Sequence, residues 1–365
     1  MVNSPGIYIS NVHLVVPPGQ LRYRSETEVD GEPFPVRSNF LRCNMRITVK
    51  TGCRLHLGFL DLTGDLGRLY GSIGVSLDNP GTVVTAERSR QFIIENNNNG
   101  EKTIKDIVLR FSRHYRLQPL TKIHLVDGIP KHSGLGSGTQ LALAVATALA
   151  RMFDIDASAR EISVIMERGK RSGVGIACFE AGGFIVDSGR KNAGKESVGP
   201  PSVIFRHDFP ADWCFVIAIP ETQRGLFGRD EENAMNKLNP STRISEEICR
   251  LTQMKLLPAL IDRDIVEFGE ALTEIDVRTG MYFEQTQGGI YREAITKDLV
   301  SLMFESGVHG VGQSSWGPTI YGLVEEHRAQ FTADKVRNFL AERKIGGEAL
   351  VSHCRNRGAE ITVME

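Results

Sequence analysis

Apolar and polar positions change period several times along the chain, and these changes mark out its elements. Met45-Arg46-Ile47-Thr48-Val49-Lys50 alternates apolar with polar residues, as a half-buried strand does. Similar short runs predict strands over 74–79, 82–87, 91–95, 122–127 and 183–187, and helical periodicity predicts helices over 104–116, 138–153 and 158–171. After a Pro/Gly/Lys-rich stretch at 190–201, a second block opens with the apolar run Trp213 to Ile219. It continues with predicted helices over 229–237, 243–257, 262–275 and 291–306, a strand over 318–324, a helix over 333–343, and strands over 348–353 and 359–364. Strands interleaved with helices in two blocks indicate an α+β protein with domains at 45–203 and 204–365. Residues 1–44 lack sustained periodicity and read as an extension, either an added arm or a stretch ahead of a start at Met45.

Composition narrows the chemistry. With 365 residues, 41% hydrophobic, the chain is long enough for two well-filled cores. The formal net charge of −1 offers no broad attraction for nucleic acid or anionic membrane, so an anionic ligand needs a local site. The six cysteines, at 43, 53, 178, 214, 249 and 354, form no CxxC pair and no zinc-ligand spacing, and read as reduced thiols. No basic segment leads into an apolar run at the N-terminus, and no stretch reaches the roughly 18 apolar residues of a membrane helix. A cytoplasmic protein without membrane or nucleic-acid partners is expected.

The most informative segment is Pro130-Lys131-His132-Ser133-Gly134-Leu135-Gly136-Ser137-Gly138-Thr139, which leads directly into a helix that is apolar on nearly every face. Such a loop brings backbone N–H groups against phosphate oxygens without side-chain obstruction, and the helix N-terminus adds positive potential. A capped Gly-rich turn is the plainer reading of the same residues. The segment lacks the GKS/T ending of a Walker loop and is not a GxGxxG fingerprint.

This loop resembles the second motif of the GHMP kinase superfamily. Gly52-Cys53-Arg54-Leu55-His56-Leu57-Gly58 resembles the first motif, and Gly310-Val311-Gly312-Gln313-Ser314-Ser315-Trp316-Gly317 takes the place of the C-terminal glycine-rich motif. The resemblance implies a GHMP kinase-like two-domain fold, with a ribosomal protein S5 domain 2-like N-terminal domain and a ferredoxin-like C-terminal domain. Ser172 to Gly183 lines up with the SGVDNAVSTWGG segment that supplies a catalytic aspartate in several of these kinases, and Gly175 takes the aspartate position. Glycine accepts no proton, so phosphoryl transfer by that route is disabled, although some members of the superfamily lack this base.

Four segments, Arg54 to Asp61, Gly71 to Asp78, Arg171 to Asp187 and Gly312 to Thr319, resemble one branch, the β-ribofuranosylaminobenzene 5′-phosphate synthases of methanopterin biosynthesis. That likeness implies condensation of 4-aminobenzoate, or a similar benzoate such as 4-hydroxybenzoate, with phosphoribosyl pyrophosphate, releasing carbon dioxide and pyrophosphate. It further implies Mg²⁺, no ATP requirement and a possible homodimer. The alternatives are an ATP-dependent small-molecule kinase and a non-catalytic sensor of a phosphorylated metabolite.

Within these motifs, Gly134, Leu135, Gly136, Ser137, Gly138 and Thr139 are the candidate cradle for pyrophosphate or 5′-phosphate. Arg54, Lys131 and Arg171 are candidates for phosphate or carboxylate contacts, since guanidinium binds either anion bidentately. His56 and His132 are candidates for proton transfer. Asp61 and Glu180 are possible Mg²⁺ ligands or stabilisers of the anomeric cation, with turn capping and ion pairing as their plainer readings. Gln313, Ser314 and Ser315 supply hydrogen-bonding groups, and Trp316 offers either a face for the aromatic substrate or core packing. Arg224 to Glu232 resembles a glycine- and glutamate-containing segment of that family, which makes it a candidate to close over the site; the plainer reading is acids that favour a helix N-terminus.

Overall fold

A computed structural model describes residues 45–96, 100–191, 199–222, 233–235, 238, 240–291 and 293–364; the extension and the segment 224–232 lie outside these residues. The first sheet is dominated by two long antiparallel strands, β1 (Arg46–Asp61) and β2 (Arg68–Arg88). Sequence periodicity predicts separate short strands here, because glycines and a proline interrupt the alternation. The ladder absorbs them in a bulge: Thr51 pairs with Thr82 and Cys53 with Leu77, so Pro80 sits where no ladder N–H is needed. Gly52 is required at this crossing, since a Cβ there would lie 1.9 Å from the Leu77 carbonyl oxygen.

Next come β3 (Ile93–Asn96), α1 (Glu101–Tyr115), β4 (Thr121–Asp127), α2 (Ser137–Met152), α3 (Ala159–Ile165), α4 (Val174–Glu180), β5 (Phe184–Asp187), β6 (Arg190–Lys191) and β7 (Val203–His207). The apolar α2 is buried along nearly its whole length, as its composition predicts. The helix predicted over 158–171 stops at Ile165, because Glu167 and Gly169 take left-handed backbone angles (φ 53° and 75°) that cannot continue it. A separate short helix, α4, then follows.

The second sheet comprises β8 (Trp213–Pro220), β9 (Gly310–Gln313), β10 (Ile320–Glu325) and β11 (Gly347–His353), antiparallel throughout, in the order β11-β8-β10-β9. This fourth-first-third-second order is ferredoxin-like. Its helices are α5 (Thr242–Leu251), a single π-helical turn (Thr252–Leu256), α6 (Leu257–Asp262), α7 (Ile265–Gln287), α8 (Ala294–Glu305) and α9 (Glu326–Glu342). Asp264 caps α7 by accepting the Val266 and Glu267 N–H groups at 3.0 and 2.9 Å. With no break before the left-handed Gly288 (φ 83°), α7 runs past the expected end at 275.

The last strand, β12 (Glu360–Met364), returns to pair with β1, so the C-terminal residues complete the first sheet rather than the second. The largest apolar core runs from Leu55, Leu57 and Ile73 on the first sheet, through Phe268, Leu272 and Ile275 of α7, to Phe215 and Tyr321 of the second. This shared core fixes α7 and β9 against β1, where the glycine-rich segments meet. No helix among the described residues is long and apolar enough to cross a membrane.

Candidate active site

Three segments far apart in sequence are joined by one chain of hydrogen bonds. The His56 N–H donates to Ser314 Oγ at 3.1 Å, and the Ser314 hydroxyl donates to the Gly134 carbonyl at 2.8 Å. That carbonyl also accepts from the Arg54 guanidinium, while the Arg54 N–H donates to the Leu135 carbonyl at 3.1 Å. Thr319 N–H to the Ser133 carbonyl, at 3.3 Å, closes the other side of the loop. Gly134 (φ 85°) permits this junction, since a Cβ there would meet the Ser314 carbonyl oxygen at 2.4 Å. The predicted motifs at 52–58, 130–139 and 310–317 therefore form one structure.

The loop leads into α2 through Gly136, whose Cβ position lies 3.0 Å from Arg54 Cγ, so Arg54 runs along the loop. Its floor is held by fully buried Gln140, which accepts from Thr51 Oγ1 at 2.8 Å and donates to the Gly175 carbonyl at 2.7 Å. A Cβ at Gly175 would face Thr139 at 3.4 Å, so the position of the kinase aspartate abuts the first turn of α2. Asp187, fully buried, anchors the same region by accepting the N–H groups of Gly173, Gly189 and Ser72 at 2.7, 2.9 and 3.1 Å. Arg168 adds positive charge to the loop, with Nη1 3.4 Å from a Cβ at Gly138.

Beside this junction, β1, α7 and the 310–317 segment enclose a narrow cleft of about 20 Å³, lined among others by His56, Phe59, Asp276, Thr279, Tyr291 and Ser315. Next to His56 the β1–β2 register shifts, with His56 opposite Gly74 and Gly58 opposite Ile73, a bulge of the kind that re-aims side chains. His56 is 5% exposed, its ring packs on Phe59 at 4.5 Å, and its Nε2 has no hydrogen-bond partner. Burial, reinforced by the charge of Arg54, holds its pKa down at about 3, so the ring is neutral. Asp276 Oδ1 accepts from the Gln313 N–H at 2.9 Å and Oδ2 from the Tyr291 hydroxyl at 3.1 Å. Burial raises its pKa to about 7 despite those two bonds. A larger, mostly apolar groove of about 840 Å³ lies along α6, β5 and β7 and contains none of the glycine-rich segments.

The other predicted residues are distributed as follows. Lys131 is exposed beside the loop, and Arg171 is half-buried between α3 and α4. Gln313 turns its side chain to the Ser315 carbonyl at 3.1 Å, and Trp316 is buried against Phe283 at 4.3 Å, in the core. Asp61 caps a turn: its Oδ1 accepts from Thr63 N at 2.8 Å, Thr63 Oγ1 at 2.7 Å and Ser245 Oγ at 2.7 Å. Burial pushes its carboxyl up, but these bonds outweigh it and hold the pKa below the usual carboxylate range. Glu180 is exposed at the opposite end of α4 from Gly175, where its carbonyl packs against Gly358. Asp61 and Glu180 share none of these contacts, and no cluster of three or more His, Cys, Asp or Glu among the described residues could hold a metal ion. These side chains therefore do not fit a preformed magnesium cage.

Asp276, Thr279, Gln140, Asp187 and Arg168 were not singled out from sequence. A signal for Asp276 was present: it interrupts the buried face set by Phe268, Leu272, Ile275 and Phe283, and a carboxylate there needs buried partners.

The family model for the GHMP kinases N terminal domain matches residues 102–183, and that for GHMP kinases C terminal matches 256–342. A β-ribofuranosylphenol 5′-phosphate synthase of Methanothermobacter thermautotrophicus is 35% identical over 332 residues, covering 86% of this chain and 98% of the relative. A protein of the same name from Archaeoglobus fulgidus is 33% identical, covering 87% of this chain and 100% of the relative. Among solved structures, homoserine kinase from Cytophaga hutchinsonii matches with a TM-score of 0.63 at 17% identity, over 87% of this chain and 97% of that one. That likeness bears on the fold alone.

Proposed function

The chain belongs to the β-ribofuranosylphenol 5′-phosphate synthase family, and we propose that it condenses phosphoribosyl pyrophosphate with a 4-substituted benzoate, releasing carbon dioxide and pyrophosphate, in methanopterin biosynthesis. The relatives' shared name specifies a phenol, so 4-hydroxybenzoate is favoured over 4-aminobenzoate as the aromatic acid.

The observation that carries this reading is the hydrogen-bond chain through His56, Ser314, Gly134 and Arg54, which brings the glycine-rich loop against the narrow cleft and supports its use as an anion cradle. The reaction needs control of charge more than a strong nucleophile. As pyrophosphate departs, the anomeric carbon gains cationic character, and the ring carbon bearing the carboxylate attacks it. The carbon–carboxyl bond then breaks and returns its electron pair to the ring. In this reading the N–H groups of the Gly134–Thr139 loop and the start of α2 hold the pyrophosphate, with Arg54 and Arg168 lending positive charge. Gly175 leaves the kinase base position empty of any proton acceptor, in keeping with chemistry that deprotonates no alcohol. The proposal includes Mg²⁺ only as a companion of the pyrophosphate, since the described side chains form no cage for it, and includes a homodimer.

The test is pyrophosphate release from phosphoribosyl pyrophosphate without ATP, measured with and without 4-hydroxybenzoate. Release that requires the benzoate supports the reading. ATP consumption with a hydroxylated acceptor, and no benzoate-dependent pyrophosphate, overturns it in favour of a kinase.

A further inference from the structure

The cleft beside His56 has a size and a polarity that suit one small group. Its volume of about 20 Å³ accommodates roughly a single water-sized atom. Two polar atoms on residues of its wall, His56 Nε2 and Thr279 Oγ1, are buried and have no hydrogen-bond partner in the protein. Buried polar groups are seldom left in this state, because each costs roughly 1–3 kcal/mol unless something pairs with it. A Cβ at Gly58 would lie 2.9 Å from Thr279 Oγ1, so the glycine leaves that hydroxyl its room. Gly58 lies two residues beyond His56 on β1, so one stretch of strand carries His56 and adjoins Thr279.

We infer that this cleft receives the para substituent of the aromatic acid, and that His56 and Thr279 together select a hydroxyl there over an amine. The inference rests on the synthase reading above and adds the substrate's ring orientation to it. A phenol hydroxyl offers one donor and accepting lone pairs, which match one acceptor and one donor on the wall. A neutral imidazole and a threonine hydroxyl supply that combination whichever tautomer His56 adopts. An aromatic amine offers two donors and only a weak, conjugated lone pair, so one wall donor stays unpaired. The penalty corresponds to roughly a 5- to 150-fold preference for the hydroxyl. Because burial and Arg54 keep His56 from gaining a proton near neutral pH, its role is orientation and selection rather than proton transfer. Asp276, facing the same cleft, is already paired on both oxygens and fixes the backbone of Gln313.

The experiment compares kcat/KM for 4-hydroxybenzoate and 4-aminobenzoate in the wild-type chain, in Thr279→Val, which keeps the side-chain shape, and in Thr279→Ser, which restores the hydroxyl. The hydroxyl-to-amine ratio is expected to fall about tenfold or more in Thr279→Val and to recover in Thr279→Ser. An unchanged ratio in a folded Thr279→Val, with the wild type active, overturns the inference and leaves the synthase reading standing. A wild type that turns over neither benzoate overturns both. A measurement independent of variant folding is inhibition of the wild type by 4-methoxybenzoate: its added methyl group exceeds the cleft, so it is expected to inhibit at least tenfold more weakly than 4-hydroxybenzoate binds. Equal potency would also overturn the inference.

Discussion

Replacing Ser314 with alanine removes the central link of the hydrogen-bond chain. Ser314 is fully buried, accepts the His56 N–H at 3.1 Å and donates to the Gly134 carbonyl at 2.8 Å. After Ser314→Ala the Gly134 carbonyl keeps the Arg54 guanidinium, so the buried His56 N–H is the group left unpaired. An orphaned buried donor costs roughly 1–3 kcal/mol and the lost bond to the carbonyl about 1 kcal/mol, so the expected loss is about 2–4 kcal/mol. That corresponds to a fall in Tm of roughly 3–6 °C for a chain of this size. Ser352 provides the control, being equally buried and accepting the Asn79 N–H at 3.0 Å on β11, outside the cleft lining. Ser352→Ala should lose comparable stability. The variants separate in kinetics: at a temperature where both are folded, Ser314→Ala should lose about 100-fold or more in kcat/KM, since small displacements of a positioned loop have effects of that order, while Ser352→Ala stays near wild type. Urea unfolding and steady-state kinetics on the same preparations read both effects. A folded Ser314→Ala whose kcat/KM matches that of Ser352→Ala would refute the positioning role of this chain.

Gly134→Ala, with a left-handed backbone angle of 85° and a Cβ 2.4 Å from the Ser314 carbonyl oxygen, should lose about 3 kcal/mol or more in urea unfolding and lose binding of phosphoribosyl pyrophosphate by calorimetry. Gly175→Asp meets only an ordinary contact with Thr139 at 3.4 Å, so it should fold with Tm within about 3 °C of wild type. Its carboxylate beside the cradle should raise KM for the sugar pyrophosphate at least about tenfold. Asp276 titrates at about 7 in the folded chain against 3.8 when exposed, so between these values the folded state keeps a proton the unfolded chain has released. Stability therefore falls as pH rises from about 4 to 7, by at most about 4 kcal/mol, and then levels off. Asp276→Asn can still accept from Gln313 and donate to Tyr291, so its urea midpoint should change less between pH 5 and pH 8 than that of the wild type.

The parts of the site most legible in the sequence are those whose composition is constrained by backbone geometry. Gly134 and Gly136 are legible because only small residues allow a left-handed turn against Ser314 and Arg54, and α2 because an apolar surface on all sides has to be buried. Asp276 and Thr279 are less so: in a single helix they read as ordinary polar positions, and their significance appears only once β1 and β9 pack against α7. The return of β12 to β1 depends likewise on a pairing across the whole chain, which local periodicity cannot carry. Asp61 shows the converse case, in which a carboxylate beside a motif suggested a metal ligand while its neighbours Thr63 and Ser245 make it a turn cap.

The central claim is tested most directly by release of labelled carbon dioxide from carboxyl-labelled 4-hydroxybenzoate and, in parallel, 4-aminobenzoate, with phosphoribosyl pyrophosphate and Mg²⁺ present and ATP absent. Label released only in the presence of the sugar pyrophosphate, and strongly reduced in Ser314→Ala, is the predicted result. No release of label from either benzoate by the folded wild-type protein would contradict it.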